Sequence, residues 1–214
     1  MRRLISLILL TAGLSSSAAA GPVHYTADTR DSLLYITVFK DESTIAAGIS
    51  HDHAIRAATW SADMTVDPAD LTTCRVSVRV PVAGLVLDEP WMRRAAGLEG
   101  ELPESMKDTV RKNMLKEEQL HAEAHPTLHF TSTRCTSTTI EGDLTIRGVT
   151  RRVEMPATVR ASDAGLMLSG ALTIRATEFG FEPYSAMMGA VKNRDDMRLT
   201  VTLIGAADAA TDAE

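Results

Sequence analysis

The feature that most constrains this chain is alternation. In "WSADMTVD", Trp60, Ala62, Met64 and Val66 fall on one face, and Ser61, Asp63, Thr65 and Asp67 on the other. In "CRVSVRVPV", Val76, Val78, Val80 and Val82 alternate with Arg75, Ser77, Arg79 and Pro81. The same period of two marks "VEMPATV" at 153–159, "GLMLSGALTIRA" at 165–176, and Leu199, Val201 and Leu203 near the end. A further run, "SLLYITVF" at 32–39, has weaker contrast. Side chains of a strand point alternately to its two faces, so each run reads as a strand with one apolar face.

Turn chemistry separates the runs. Asp67-Pro68-Ala69-Asp70 joins the Trp60 and Cys74 strands, and Glu141-Gly142-Asp143 and Asp163-Ala164-Gly165 read as two more breaks. Pro81 and Pro156 lack an N–H and belong at strand ends, edges or bulges. One segment has helical period. In "LPESMKDTVRKNMLKEEQLHA", 102–122, Met106, Val110 and Met114 recur every four residues, with Leu115 widening the stripe and mixed charge elsewhere. It reads as a lid or plug on a sheet, a helical insertion at roughly 103–121. Many short strands, tight turns and one helix predict an antiparallel barrel or sandwich. Several inward candidates are small (Ala57, Ala62, Ala157, Gly170 and Ala176), which either leaves a cavity or relieves crowding.

The start of the chain carries Arg2 and Arg3, an apolar run from Leu4 to Leu14, and small residues ending Ala18-Ala19-Ala20. That layout predicts a cleaved signal peptide over 1–20, and so export to the periplasm. One domain is expected over 21–206, and a flexible tail over 207–214. Two of the 22 basic and none of the 28 acidic residues lie in the first 20, which leaves a net charge of −8 on the rest. Such a surface repels phosphates and argues against nucleic acid as a partner.

Cys74 and Cys135 are the two cysteines. The strands that carry them are expected to pair around the helical insertion, which brings one near the other. Cys135 is out of phase with Leu128 and Phe130, so a disulfide needs a bulge; otherwise both are small buried hydrophobes. "GISHDHAI", 48–55, places His51 and His53 two apart. A zinc site needs three or four converging ligands, and nothing in the sequence brings the others together. His121 and His125 are cut off from His129 by Pro126. There is no nucleophile elbow and no cysteine with a base beside it.

Residues 140–159 read "IEGDLTIRGVTRRVEMPATV". "GDLTIRGVTRRV" resembles the signature of the YceI-like family. "DPADLTTCRVSVRVPVAGL", "EAHPTLHFTST" and "ATEFGF" resemble further segments of that family, in the same order. Ala176 stands where the family often has Arg, and Ala83-Gly84 replaces a usual Ser. The resemblance implies a lipocalin-like antiparallel β-barrel of about eight strands that holds a polyisoprenoid, an isoprenoid quinone or another long-chain lipid, with no catalytic residues and no other cofactor. The residues expected to line it are Trp60, Met64 and Val78 from the first half, with Phe130, Ile146, Leu168 and Leu172 from the second. Phe179 and Phe181 close the set, and Tyr184 and His53 are the polar candidates at the mouth. Two other readings stay open: a metal-dependent periplasmic enzyme using His51 and His53, and a stress-related interaction protein whose barrel is filled by its own side chains. Transient contact with a membrane or its proteins, and a monomer or a dimer, are compatible with all three.

Overall fold

The computed structural model describes residues 21–208; the leader predicted over 1–20 and residues 209–214 of the tail lie outside them. Twelve strands form one antiparallel sheet system. They are β1 (Val23–Ala27), β2 (Leu33–Lys40), β3 (His53–Ala57), β4 (Ser61–Asp67), β5 (Asp70–Pro81), β6 (Leu85–Leu87), β7 (Thr127–Cys135), β8 (Thr139–Ile146), β9 (Val149–Ser162), β10 (Gly165–Arg175), β11 (Ser185–Ala186) and β12 (Val191–Ala207). Two helices, α1 (Pro90–Ala95) and α2 (Glu104–Leu115), lie between β6 and β7.

The ring runs β1-β4-β5-β7-β8-β9-β10-β12, and β12 closes it by pairing with β1. This is an eight-stranded antiparallel barrel of the lipocalin-like kind. The long β12 pairs with β1 at residues 205–207 and with β2 at 197–202. β1 and β2 are therefore one barrel strand broken at 28–32. The neighbouring pairs β3–β4 and β5–β6 are broken in the same way, and β2, β3 and β6 extend the wall at one end. Closure leaves fewer free edges, which suits strands this apolar.

The alternation predicted from sequence sorts the faces. Ile140, Leu144 and Ile146 of β8 are buried, and so are Val76, Val78 and Val80 of β5. The β8–β9 hairpin turns on Arg147 (φ 51°) and Gly148 (φ 72°), the paired left-handed residues of a two-residue loop. Pro156 sits opposite Thr139, where the β8–β9 ladder ends.

Four sequence expectations are corrected. Glu141-Gly142-Asp143 is no turn but the middle of β8. Gly142 is there for space, since a Cβ would stand 2.5 Å from the Phe130 ring. The helical insertion ends at Leu115 rather than near 121, because the next stripe positions after Met106, Val110 and Met114 would be Glu117 and Glu118. The chain turns back instead, with His121 at φ 47°, and brings Leu120 onto the barrel. The short α1 was not foreseen; Pro90 starts it at a first-turn position where no N–H is missed. At the far end, β12 runs to Ala207, and the Asp208 carboxylate accepts from His24 Nδ1 at 2.5 Å and the Thr26 hydroxyl at 2.6 Å, so residues 207 and 208, expected in the tail, are held to the barrel.

One end of the barrel is solid. Tyr25 and Met64 are fully buried there beside Val66, and the Tyr25 hydroxyl donates to Ser162 O at 2.9 Å. Cys74 and Cys135 form a disulfide in this region, with Cα atoms 5.8 Å apart. The register slips between Ser132 and Arg134, and that extra residue brings Cys135 into phase.

Candidate functional site

Toward the other end the barrel is hollow. A deep chamber of about 140 Å³ adjoins a larger one of about 300 Å³. Ile36, Ile55, Leu85, Leu128 and Ile146 border both and form the neck between them. Apart from Tyr35 and His129, every residue lining the deep chamber is apolar. The larger chamber is different. Ser50, His51, His53, Asn113, Gln119, Tyr184, Asn193 and Arg194 line it together with aliphatic residues. Polarity is therefore concentrated at the mouth.

α2 builds one wall of the mouth. The β5–β7 ladder ends at the Pro81–Thr127 pair, and the excursion 82–126 leaves from there. Met106, Val110 and Met114 of α2 face the larger chamber, as the predicted stripe requires. Arg111, on the same helix, donates to Leu85 O and to Ala83 O, which supplies a donor to carbonyls beside β6. Asn113 donates its amide to the Tyr184 oxygen at 3.2 Å, tying the helix to the loop before β11. The Tyr184 O–H proton is left to serve something else.

The polar centre of the mouth is a buried network that the sequence reading missed. Asp88 is fully buried at φ 52°. One of its oxygens accepts from the Ala54 N–H at 2.9 Å and from Arg93 Nη1 at 2.9 Å; the other meets His53 Nδ1 at 2.7 Å. Burial works against the Asp88 charge, but the His53, Ala54 and Arg93 contacts prevail and hold its carboxyl below the usual carboxylate range. Arg93, itself 3% exposed, also donates to the carbonyls of Asp52, Glu99 and Gly100. A carboxylate can only accept, so His53 Nδ1 carries the proton. Nε2 is the ring's remaining polar atom, and His53 lines the larger chamber. In sequence, Asp88 and Arg93 stand five apart in "VLDEPWMRR". Nothing in that pattern says that Asp88 and Arg93 are buried together.

Of the residues expected to line the cavity, Val78, Phe130, Leu168 and Leu172 border the deep chamber, and Phe181, Tyr184 and His53 the larger one. Ile146 borders both. Trp60, Met64 and Phe179 border neither. Met64 belongs to the solid end, where its methyl group lies against Gly205. Trp60 sits at the break between β3 and β4 and packs on the core from outside the chambers. Phe179 is fully buried with Leu144, Ile146 and Ile174, in a turn that packs where β9 and β10 separate beyond Ala157 and Gly170. Of the small candidates, Ala57 and Ala176 border a chamber and Ala62, Ala157 and Gly170 do not.

His51 also lines the mouth, but it and His53 have no third ligand. Among the described residues no three His, Cys, Asp or Glu side chains gather in a metal-binding arrangement. Burial, helped by the nearby charges of His53, Arg93 and Lys40, pushes the His51 pKa below its usual 6.5. The unfolded chain then binds the extra proton more readily, so stability is level above about pH 6.5 and falls below it. Urea unfolding at pH 7.5 and 5.5 will show this loss, and His51→Gln will reduce it; an unchanged slope would remove His51 as its source.

A family model described as YceI-like domain matches residues 25–204. No curated protein matches the chain in sequence. Solved structures share its fold, among them the following three. Burkholderia cenocepacia BcnA is 17% identical with a TM-score of 0.58, over 83% of this chain and 98% of that one. A polyisoprenoid binding domain from Saccharophagus degradans, implicated in plant cell wall breakdown, is 12% identical with a TM-score of 0.57, over 87% and 99%. The Campylobacter jejuni YceI protein is 16% identical with a TM-score of 0.53, over 72% and 84%.

Proposed function

The chain belongs to the YceI-like family, and from that premise we propose that it is an exported carrier that holds one long-chain lipid, a polyisoprenoid or an isoprenoid quinone, inside its barrel. One observation carries this reading. The interior holds two adjoining chambers with five wall residues in common, the deep one almost wholly apolar and the outer one gathering its polar groups at the mouth. An apolar cavity stays dry and is filled at a gain by an apolar chain. The larger chamber alone reaches the lower end of the range for ligand sites, roughly 300–1,000 Å³. The tail lies through the neck into the deep chamber, and the head group stays among His53, Tyr184 and Asn113. A prenol hydroxyl is matched by the free His53 Nε2, and a quinone carbonyl by the Tyr184 O–H.

The polyisoprenoid binding domain from Saccharophagus degradans supports this choice of cargo. The signal-peptide layout of residues 1–20 supports export to the periplasm, and a disulfide suits an oxidising compartment. Nothing in the mouth network reads as a nucleophile, and its role here is to bind and orient rather than to catalyse.

The test is organic extraction and mass spectrometry of protein purified from the periplasm without detergent. A stoichiometric isoprenoid lipid is expected, and an empty extract from folded protein would overturn the reading. Ile146→Trp, at the neck, adds a second measure. Shutting roughly four methylenes out of the deep chamber removes about 3 kcal/mol at about 0.8 kcal/mol each. Affinity for a long chain will fall by a factor of about 200, while a chain short enough for the larger chamber alone binds nearly as before. Equal losses for both lengths would place the tail elsewhere.

A further inference from the structure

Among the described residues, five large apolar side chains stand exposed: Ile45, Ile49, Trp91, Met187 and Met188. Trp91 lies on α1 under the Arg56 guanidinium, 5.3 Å from its ring centre. The other four occupy two loops at the mouth. Ile45 is 99% exposed, Ile49 and Met187 are 65% exposed, and Met188 is wholly exposed. The loops are clipped together, with the Ala46 N–H on Ala190 O at 3.0 Å and the Asp41 N–H on Lys192 O at 2.8 Å.

This patch is continuous with the cavity. Ile49, Ser50 and His51 of the first loop line the larger chamber, as do Tyr184 and Val191 on either side of the second. The second loop also holds Met187 at φ 52° and Met188 at φ 55°, a left-handed backbone that costs energy for side chains of this size. A loop of small polar residues would close the same turn without exposing two thioethers. The strain and the exposure fall together, beside the one kind of opening through which an apolar chain can pass.

We propose that this rim is a membrane-contact surface, in which Ile45, Ile49, Met187 and Met188 enter the boundary of a lipid bilayer so that cargo passes between bilayer and chamber without crossing water. The inference rests on the carrier reading of the same cavity. Continuity of the patch with the mouth decides the occupant, because a bilayer is where a long-chain lipid comes from and goes to. Charge decides the mode of contact. Lys40, Lys192 and Arg194 near the rim are offset by Asp41, Glu42 and Asp196, and the chain beyond residue 20 carries −8. The contact is therefore apolar and does not depend on anionic lipid.

Flotation with phosphatidylcholine vesicles tests it, comparing the protein with Ile45→Asp/Met188→Asp. Both residues are exposed and border neither chamber, and aspartate tolerates the backbone at 188. The wild-type protein will float with the vesicles and stay bound in roughly 1 M salt, where the Debye length is about 3 Å. The double variant will bind at least tenfold more weakly. Transfer of a fluorescent polyprenoid between vesicles will fall with it, while uptake of that lipid from dilute ethanol stays unchanged. Wild-type protein that takes up the lipid but does not float would overturn the proposal, as would a double variant that floats equally well. So would a wild-type dimer that the variant dissolves with transfer intact, which would make the rim an interface between copies. Loss of uptake from ethanol in the variant would make it a pocket wall instead. Flotation without any uptake by wild-type protein would sink the carrier reading and not the membrane contact.

Discussion

Asp88→Asn will destabilise the protein by about 3 kcal/mol, the lower end of the cost of removing one partner from a buried ion pair. The substitution keeps the shape and removes the charge. Arg93 then stays buried with no counter-charge, although it keeps the carbonyls of Asp52, Glu99 and Gly100. Those acceptors are why the lower end applies. For a chain of this size, about 3 kcal/mol lowers Tm by roughly 6–12 °C. The change also reaches the mouth. An asparagine can turn its NH2 toward His53, in which case the ring shifts its proton to Nε2 and its cavity-facing atom becomes a donor. A hydroxyl head group then loses its acceptor. Asp88→Leu/Arg93→Met leaves no charge buried alone, but it strips partners from the Ala54 N–H, His53 Nδ1 and the carbonyls of Asp52, Glu99 and Gly100. The double variant will therefore be no more stable than Asp88→Asn in thermal unfolding, and a clear gain would show that the lone Arg93 charge outweighs those five hydrogen bonds. A loss below 1 kcal/mol for Asp88→Asn would show that the pair is not held out of water. The same network works with pH. The folded Asp88 pKa is depressed, so its contribution is complete above the ordinary carboxylate range and is lost as pH falls through the folded value.

The walls of this barrel were legible in the sequence because alternation is local. Val76, Val78 and Val80 announce a buried face without reference to any other strand, and the structure buries them. The "TIRGVT" turn is set locally as well, by the left-handed backbone of Arg147 and Gly148. What failed was what depends on distant partners. Gly142 looked like a turn because glycine usually makes one; it is a strand residue that yields space to Phe130 across the ladder. Met64 and Leu168 have the same pattern in sequence, yet one plugs the solid end and the other borders a chamber. Period two gives the face of a strand and not the height along the barrel. Asp88 and Arg93 were missed for a related reason. Charged residues next to a helix start are ordinary on a surface, and only the fold of the excursion over β3 makes them buried partners.

Replacing Cys74 and Cys135 by alanine will cost about 4 kcal/mol, most of it through the unfolded chain. The bond closes a loop with a sequence separation of 61, and loop-closure entropy for a loop of that size gives about 4 kcal/mol. The loop contains β5, β6, both helices and β7, which is the excursion that the barrel must fold over its mouth. The bond itself lies near the solid end, where Cys74 is 4% exposed and Cys135 1% exposed. Stability and binding are therefore separable here. The alanine pair will unfold at lower urea, while its folded fraction binds a long-chain lipid with wild-type affinity. An unchanged urea midpoint would mean that the bond does not restrain the unfolded chain, and weakened binding would mean that it shapes the chambers. The pairing depends on the bulge at Thr133, which takes the odd residue between Ser132 and Cys135 out of the ladder. The slip between Ser132 and Arg134 rotates Cys135 to the inner face, and the Ser132 hydroxyl, 2.8 Å from the Val76 nitrogen, accepts an N–H beyond the end of the β5–β7 ladder. Deleting Thr133 makes the strand regular and leaves Cys135 on the inner face, two places after Ser132 and still opposite Ile140. That deletion will keep the disulfide, with no free thiol on titration after unfolding, and will keep the stability that the alanine pair loses; two free thiols would mean that the bulge itself is needed to bring the sulfurs together.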